Sequence, residues 1–246
     1  MSEISATIVT LNEARNLPRA IESLRCVDEI VVVDSGSTDE TCEIAERLGA
    51  RVIRQPWLGY AGQKNFAAQA ASHDWILSLD ADEALSEVLE AEIGAWKLGA
   101  PAAAGYTMPR MAQYLGRWIR HSGWYPDRKV RLYDRRHGAW AGDYVHESVR
   151  VDGVPGEFSG DLLHFTCGSI AEHLRTLDKY TTLAAKEIRE KGKPAPAWKL
   201  FVSPGWTFVR SYVVQRGFAD GPQGLAIAWM AALYVYLKYA KARGLE

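Results

Sequence analysis

The sequence predicts an α/β fold with a mainly parallel, Rossmann-like sheet flanked by helices. Strand-like and helix-like segments alternate through the first 80 residues at the spacing of βαβ units, which favours right-handed parallel connections. The run EIVVVD (Glu29–Asp34) is continuously apolar, which is typical of a parallel strand buried on both faces. With 246 residues, 48% of them hydrophobic and 24% charged, the chain can bury a substantial core.

The predicted elements of the front half follow in order. Strands are expected at Ile4–Thr10, Glu29–Asp34, residues 50–55 and Trp75–Asp80, with helices at residues 14–25, 37–49 and 62–72. In the second helix, Ser37 and Glu40 have the spacing of a capping box, and Gly49 supplies a stop.

The rear half has a different amino-acid composition and a different pattern of predicted elements. From about residue 100 to 168 the chain is aromatic, basic and rich in glycine, which predicts short strands and loops instead of βαβ units. Residues 169–192 predict a charged amphipathic helix, and KPAPA after it predicts a stiff linker. Residues 198–246 predict two aromatic-rich helical segments separated by GFADGPQG.

Charge and cysteine content limit the class of protein. Residues 1–100 hold 17 acids against 8 Lys/Arg, whereas residues 101–246 hold 13 against 21, so the two halves are expected to meet different partners. Three cysteines without a CxxC motif fit a reduced, cytosolic protein. The N-terminus lacks a basic region followed by an apolar one, so we expect no signal peptide.

Polar residues follow three of the predicted strands: TLNE at 10–13, DSGSTDET at 34–41 and DADE at 80–83. Ligands of open α/β sheets bind beyond the carboxyl ends of the strands, so these groups are candidate binding residues. Asp34 precedes the capping position and is not needed for the cap, which favours a ligand role for it.

Three acids end the fourth strand: Asp80, Asp82 and Glu83. In an extended chain Asp80 and Asp82 would project to the same side, with Ala81 leaving the backbone accessible. Such acids would repel one another, and a divalent cation would relieve the repulsion. Mg²⁺ or Mn²⁺ carried with a phosphate substrate suits this donor set. The alternative is an acidic loop that faces solvent.

Neither GxGxxG nor GxxxxGK occurs, which disfavours dinucleotide and Walker-type phosphate binding. TIVTLNEARNL, EIVVVDSGSTDET, GYAGQKNFA and WILSLDADE, in this order, resemble the inverting glycosyltransferases of family 2, which have the GT-A fold. RHSGWYPDRKVRLYDRR, DYVHESV, LLHFT and GFADGPQGLAIAWMAALYVYLKYAK resemble the lipopolysaccharide core glycosyltransferases of the WaaE/KdtX type.

The resemblance implies two regions with different functions. Residues 1–168 would form the GT-A catalytic domain, with a nucleotide-sugar half at 1–100 and an acceptor half at 101–168. Residues 169–246 would form a helical region that contacts the membrane or another copy.

The resemblance also implies roles at matching positions in the front half. Thr10, Asn12 and Glu13 would line the nucleotide pocket, and Asp34 would contact the uracil or ribose. Lys64 stands where the family commonly has Arg. It would neutralise a phosphate charge, but it cannot bind two phosphate oxygens at once as the planar guanidinium of arginine does. Asp80 would face the ribose or metal, and Asp82 would bind the metal directly. Glu83 would support the site or start the next helix.

Inversion also requires a base that accepts the proton of the acceptor hydroxyl. Glu147 is the first candidate and Asp127 the second, and His146 is a candidate metal or diphosphate ligand. The alternatives are an ordinary strand histidine at 146 and a turn acid at 127, paired with Arg128 or Arg131.

An aromatic and basic segment suits an acceptor that carries phosphate or carboxylate groups. Its members are Arg117, Trp118, Arg120, Trp124, Tyr125, Arg128 and Arg131. No motif for RNA or DNA binding accompanies them, so nucleic acid is not the expected partner.

Residues 225–237, LAIAWMAALYVYL, are apolar but too short to span a bilayer, and a basic segment follows. A helix lying on the inner face of the cell membrane is expected, and packing on the catalytic domain or in a homo-oligomer is the alternative. The predicted function is transfer of a sugar, with glucose expected, from a UDP-sugar to a lipopolysaccharide core or other lipid-linked acceptor. A metal-dependent nucleotidyltransferase and a non-catalytic membrane adaptor are the other candidates.

Overall fold

The structure is a computed structural model that describes residues 1–142, 147–192 and 196–245. The chain divides into two compact units. The first unit comprises Met1–Arg110 and Asp127–His164, and the second comprises Met111–Pro126 and Phe165–Glu246. The sequence-based division at residue 168 places residues 111–126 with the catalytic domain, whereas the structure groups them with the C-terminal helices.

Strands and helices are numbered in chain order. Strands β1 to β12 are Ile4–Thr10, Glu29–Asp34, Arg51–Arg54, Trp75–Asp80, Glu83–Leu85, Gly105–Tyr114, Arg117–Trp118, Asp127–Asp134, Gly138–Ala141, Ser148–Val151, Gly156–Glu157 and Leu162–Phe165. Helices α1 to α7 are Leu17–Glu22, Thr41–Arg47, Tyr60–Ala70, Glu87–Lys97, Ile170–Glu190, Trp198–Val209 and Gly221–Ala242.

The sheet of the first unit has the strand order β3-β2-β1-β4-β8-β6-β12-β5. The neighbours from β3 to β4 are parallel, and β8 adds to β4 in antiparallel direction. Thr10 pairs with Asp34 and Val9 with Asp80, so the carboxyl ends of β2, β1 and β4 are level with one another. The loops that follow these strands therefore leave the same edge of the sheet.

Both faces of the parallel strands are covered, as the apolar run of β2 predicts. One cluster joins alternate residues such as Ile4 and Leu77 to helices α1 and α4, and the other joins Val31, Val33 and Ile76 to Ala67 of α3. Burying each of these valine and isoleucine side chains stabilises the fold by roughly 1.5–3 kcal/mol.

The predicted strands Ile4–Thr10, Glu29–Asp34 and Trp75–Asp80 are confirmed. The predicted capping box is wrong: α2 begins at Thr41, Glu40 precedes it without a side-chain cap, and the Ser37 hydroxyl donates to Asp34 instead. Gly49 ends this segment with a positive φ of 84°, as expected of a helix stop. Glu83 begins strand β5 and not a helix.

The second unit is mainly helical. After α6 the chain continues through a π-helical turn, Arg210–Val214, and a 3₁₀ turn, Gly217–Asp220, directly into α7. The buried Asp220 carboxylate accepts hydrogen bonds from the backbone N–H groups of Arg120 and His121, which anchors the start of α7. In the described part of the chain, no helix combines the length and apolarity needed to cross a bilayer.

Candidate active site

The loops after β1 and β2 are tied together by side chains. Asn12 accepts at Oδ1 from the Thr38 N–H (2.9 Å), and its own N–H donates to the Ser37 hydroxyl (2.8 Å). The Glu13 N–H donates to Thr41 Oγ1 (2.8 Å). Asn12 has a φ of 57°, a conformation that asparagine tolerates better than most residues. The two predicted binding segments therefore form one continuous surface.

Asp34 lies buried beneath this surface. Its carboxylate accepts from the N–H groups of Gly36 and Ser37 (both 2.9 Å), from the Ser37 hydroxyl, and from Thr10 Oγ1 (3.2 Å). Burial alone would raise the pKa of Asp34, but these hydrogen bonds outweigh it and lower the pKa. The carboxylate thus shapes the turn after β2, and its contact with a nucleotide stays a prediction.

Asp80 is neutralised by two cations of its own chain. Lys64 Nζ lies 2.7 Å from one carboxylate oxygen, and an Arg131 NH group lies 2.8 Å from the other. Burial opposes ionisation, yet Arg131 and Lys64 hold the pKa of Asp80 well below its usual range. The premise that the acids after β4 need an external cation is therefore wrong for Asp80.

Glu83 belongs to the same network. Its buried carboxylate accepts from Arg131 (2.7 Å) and from the Asp80 backbone N–H (3.1 Å), and lies 3.4 Å from Arg110. Arg110 in turn pairs with Asp127 (2.6 Å), whose other oxygen lies 3.0 Å from Lys129.

Asp127 is therefore held by cations on both oxygens, although they are not the arginines that the sequence suggested. Burial opposes its ionisation, but Lys129 and Arg110 lower its pKa. A low pKa reduces basicity, so this environment disfavours Asp127 as a general base.

Asp82 faces a different partner. Ala81 and Asp82 form a turn after β4, so the extended-chain argument that placed Asp80 and Asp82 side by side does not apply. One oxygen of Asp82 lies 3.2 Å from His164 Nε2 on β12. Glu13 lies close to this edge: burial raises its pKa, Asn16 opposes the rise, and Asp82, Asp39 and Asp80 add to it.

Helix α3 supplies three consecutive residues with distinct contacts. Gln63 donates to the Ser35 hydroxyl (3.2 Å) and the Gln55 carbonyl (3.0 Å), which fixes the neighbouring loops. Asn65 accepts from the N–H and donates to the C=O of Trp140, each at 2.9 Å. Lys64 Nζ lies 4.1 Å from the centroid of the Trp140 ring, within range of a cation–π interaction.

Glu147 meets this cluster from the strand β10 side. Its Oε1 lies 3.4 Å from Lys64 Nζ, whereas Oε2 is buried and has no hydrogen-bond partner among the described residues. A buried carboxylate oxygen without a donor is uncommon in folded proteins, which makes Oε2 of Glu147 a candidate proton acceptor. Predicted ligand His146 lies outside the described residues.

The described residues fit a divalent cation that arrives with a phosphate ligand better than a resident metal. Residues 1–142, 147–192 and 196–245 contain no group of three His, Cys, Asp or Glu that could hold a metal ion. Asp82 and His164 nevertheless place a carboxylate and an imidazole together at this edge. Mg²⁺ commonly takes one or two carboxylates and completes its shell with phosphate oxygens and water, so Asp82 is a suitable ligand and metal binding at this edge stays a prediction.

The arginines predicted to bind an acceptor separate into different environments. Arg131 is buried against acids, so its placement on an acceptor surface is wrong. Arg128 lies in the first unit, 3.3 Å from Glu157, while Arg117 and Arg120 belong to the second unit.

Sequence reasoning missed several residues of this site. They are Gln63, Asn65, Trp140 and His164; Arg131 was named, but for acceptor binding and not for contact with Asp80 and Glu83. Gln63 and Asn65 flank Lys64 in the matched motif, so their position was a usable signal. The residues that are distant in sequence have no such signal. Arg131 contacts Asp80 across 51 positions of sequence, and His164 contacts Asp82 across 82 positions.

Comparison with known proteins decides the family. The model described as glycosyl transferase family 2 matches residues 5–149, more than half of the chain. The chain belongs to glycosyl transferase family 2. Its mixed α/β architecture is of the GT-A type, which confirms the predicted fold class and resemblance, and this family 2 protein is a glycosyltransferase.

Two curated relatives match nearly the whole family 2 chain. An uncharacterized glycosyltransferase of Rickettsia felis is 35% identical over 99% of this chain and 90% of its own. The lipopolysaccharide core biosynthesis glycosyltransferase LpsC of Rhizobium meliloti is 34% identical over 97% of this chain and 91% of its own.

A solved structure resembles part of the chain. Glucosyl-3-phosphoglycerate synthase from Mycobacterium tuberculosis, in complex with Mn²⁺, UDP and glucosyl-3-phosphoglycerate, is 26% identical and superposes with a TM-score of 0.36. The match covers 46% of this chain and 44% of that one, so the fold assignment rests on the strand order and the family match.

Proposed function

We propose that this family 2 enzyme transfers a sugar, with glucose expected, from a UDP-sugar to a lipopolysaccharide core or other lipid-linked glycan with inversion at the anomeric carbon. The observation that carries the proposal is the network at the carboxyl edge of the parallel strands, in which Lys64 bridges Asp80 and Glu147. The likeness to LpsC over nearly the full length of both chains supports the acceptor class.

Donor binding is assigned to the joined loops after β1 and β2 and to the turn after β4. Thr10, Asn12 and Glu13 line the nucleotide side, with Asp34 holding the turn beneath them. Ala81 packs in the core below this edge, and its backbone is assigned to contact the donor as the family resemblance implies. The ionised Asp80 is suited to accept from a ribose hydroxyl.

A divalent cation, Mn²⁺ or Mg²⁺, would be held by Asp82 together with His164. When bound, it supplies positive charge that stabilises the departing diphosphate. Lys64 lies at the same edge and offers a second positive charge to the phosphates, but it lacks the fork with which an arginine binds two oxygens.

Glu147 is the proposed base. In-line attack by the acceptor hydroxyl breaks the bond between the anomeric carbon and the diphosphate oxygen, and the hydroxyl proton passes to the carboxylate. Oε2 of Glu147, which has no hydrogen-bond partner among the described residues, supports this role, while Lys64 at Oε1 holds the side chain in place. Asp127, with both oxygens on cations, supports the fold of β8 and β6 instead.

Substitution of the two candidate bases tests the reaction class. Purified enzyme is incubated with UDP-glucose, Mn²⁺ and a truncated lipopolysaccharide core, and the product is detected as the addition of one hexose by mass spectrometry. Glu147→Gln is expected to lower turnover by 100-fold or more, the range of general-base catalysis. Asp127→Asn is expected to retain most of the turnover when both variants are assayed at a temperature at which they are fully folded.

The opposite ranking of these two variants would transfer the base assignment to Asp127. If no nucleotide sugar supports transfer by the wild-type enzyme to any core acceptor, the proposed substrate class is wrong. The affinity of Glu147→Gln for the donor is the control. It should equal that of the wild type, because Glu147 acts only after the donor is bound.

A lipid-linked acceptor places the enzyme at a membrane surface, and we assign it to the cytoplasmic face of the cell membrane. Three cysteines, an odd number, without a CxxC motif fit a reducing compartment. Assembly with further copies of the chain stays a prediction from the sequence.

A further inference from the structure

Helix α6 exposes an apolar face. Its largest exposed side chains include Phe201, which is 77% exposed, and Trp206, which is 60% exposed. The exposed apolar residues of α6 and the π-helical turn after it are Trp198, Phe201, Val202, Trp206, Val209, Val213 and Val214. Their spacing of three, four and seven positions places them along one side of a continuous helical segment.

The apolar run at residues 225–237, which the sequence singled out for membrane contact, is mostly packed inside the second unit. Ile227, Ala228 and Ala232 are buried, and α7 presents only Leu225, Trp229 and Tyr236 as exposed large side chains. Trp229 packs against Phe208 of α6 with ring centroids 4.9 Å apart, so the exposed part of α7 continues the face of α6.

The surface charges that residues 196–245 contribute are positive, and one of them, on Lys241, is paired with Asp178 of α5. Residues 196–245 contain six Lys/Arg and one acid, Asp220. Asp220 is buried and bonded to the backbone of residues 120 and 121, so every exposed formal charge of this segment is positive. Arg210 and Arg216 are exposed at the end of α6 and after the π-helical turn, and Lys199 lies over Tyr239, 5.0 Å from its ring centroid.

We propose that this face of α6 docks on a bilayer that contains anionic lipid. An apolar helical face with tryptophan and phenylalanine, bordered by cations, inserts at the boundary of headgroups and acyl chains. The positive border is complementary to anionic headgroups, whereas a second copy of the same face would bring cations against cations. The inference is independent of the donor and acceptor, because it concerns residues outside the strand-end network.

Sedimentation with lipid vesicles tests the docking face. The full chain is mixed, without substrates, with vesicles of phosphatidylethanolamine and phosphatidylglycerol, and in parallel with vesicles of phosphatidylcholine alone. The wild-type protein is expected to bind the anionic vesicles more tightly, and added salt should weaken the binding by screening the charges. The double variant Phe201→Ser/Trp206→Ser should bind at least tenfold more weakly.

The matched control removes exposed apolar side chains elsewhere. Leu98 is 72% exposed and Val154 is 87% exposed in the first unit, and Leu98→Ser/Val154→Ser should bind vesicles as the wild type does. Equal vesicle binding by Phe201→Ser/Trp206→Ser and wild type would overturn the proposal. The proposal would also be overturned if the wild-type protein did not bind anionic vesicles. The same holds if the wild type were a dimer and the double variant a monomer.

A second measurement needs no variant. Brominated lipids quench tryptophan fluorescence only at short range, so they are expected to quench the wild-type protein on anionic vesicles. Binding to these vesicles without any quenching would contradict insertion of the α6 face. Circular dichroism of the double variant confirms that its loss of binding is not a loss of fold.

Discussion

Arg131 shows how one side chain can organise a site. It is buried, and its guanidinium lies 2.8 Å from Asp80 and 2.7 Å from Glu83. Because β8 runs beside β4, Arg131 brings its charge to the strand that ends in the acids. The strong charge on this edge is therefore compensated within the protein before any ligand binds.

Replacing Arg131 by methionine should destabilise the protein strongly. Arg131→Met leaves the buried Glu83 with only Arg110 at 3.4 Å and the partly exposed Asp80 with only Lys64, and breaking a buried ion pair from one side costs about 3–5 kcal/mol. The free energy of unfolding, from urea denaturation, measures the loss. Arg128→Met removes an exposed pair with Glu157 and should change stability by less than about 1 kcal/mol. Equal effects of the two substitutions would contradict the account of the network.

The strand-end acids could be predicted from the sequence, but their partners could not. Asp34 and Asp80 each end a continuous apolar run, which is a local signal. Lys64 and Arg131 are two cations among 29; the sequence singled both out for other roles, and nothing local indicates that they pair with Asp80. Their pairing follows from the strand order and from the face on which α3 packs, which are properties of the tertiary structure.

At the scale of elements, β2 is fixed at both ends by carboxylates. Asp34 ends it, and Glu29 begins it by accepting from the Ser5 hydroxyl (2.6 Å), the Ser72 N–H (2.7 Å) and Arg51 (2.7 Å). These contacts join β2 to β1, β3 and the end of α3. Burial opposes the ionisation of Glu29, but these hydrogen bonds lower its pKa from 4.5 to about 2.

The lowered pKa of Glu29 predicts a dependence of stability on pH. A carboxyl with a lower pKa in the folded state stabilises the fold above its unfolded pKa, and this contribution disappears as pH falls from about 4.5 to about 2. Glu29→Gln should therefore be less stable than wild type at neutral pH, with the difference shrinking through this range. Urea denaturation at a series of pH values measures it.

The exposed Glu46 supplies the control, because Glu46→Gln removes one carboxylate from the same part of the fold. Its unfolding free energy should follow the wild-type curve. A constant difference between Glu29→Gln and wild type down to pH of about 2 would contradict the assignment.

Helix α3 illustrates what an element contributes beyond its own stability. Ala67 and Ala68 pack on the sheet, and one turn earlier Gln63 and Lys64 reach the edge where the strands end. Small side chains bring the helix close, so the polar residues of its first turns are buried beside the acids. The sequence predicted this helix, while the clamp of Asn65 on Trp140 required the structure.

At the scale of the whole molecule, the residues assigned to the reaction and the residues proposed for membrane contact lie in different units. The first unit carries the residues assigned to donor binding and catalysis, and the second carries the exposed apolar face of α6. The sequence predicted that βαβ units give way to short strands and loops near residue 100, and it predicted the C-terminal helices. It did not predict that residues 111–126 join those helices, because that grouping depends on long-range contacts such as the hydrogen bonds of Asp220.

Calorimetry of UDP-glucose binding tests the central claim most directly. Wild-type protein and the variants Asp82→Asn and Asp152→Asn are titrated with UDP-glucose, each with and without Mn²⁺; Asp152 is an exposed acid of the same unit. Wild type and Asp152→Asn should bind the donor tightly only with the metal, and Asp82→Asn should lose that metal-dependent gain. Unchanged metal-dependent binding by Asp82→Asn, or no donor binding by the wild type, would contradict the assignment of this strand edge as the donor site.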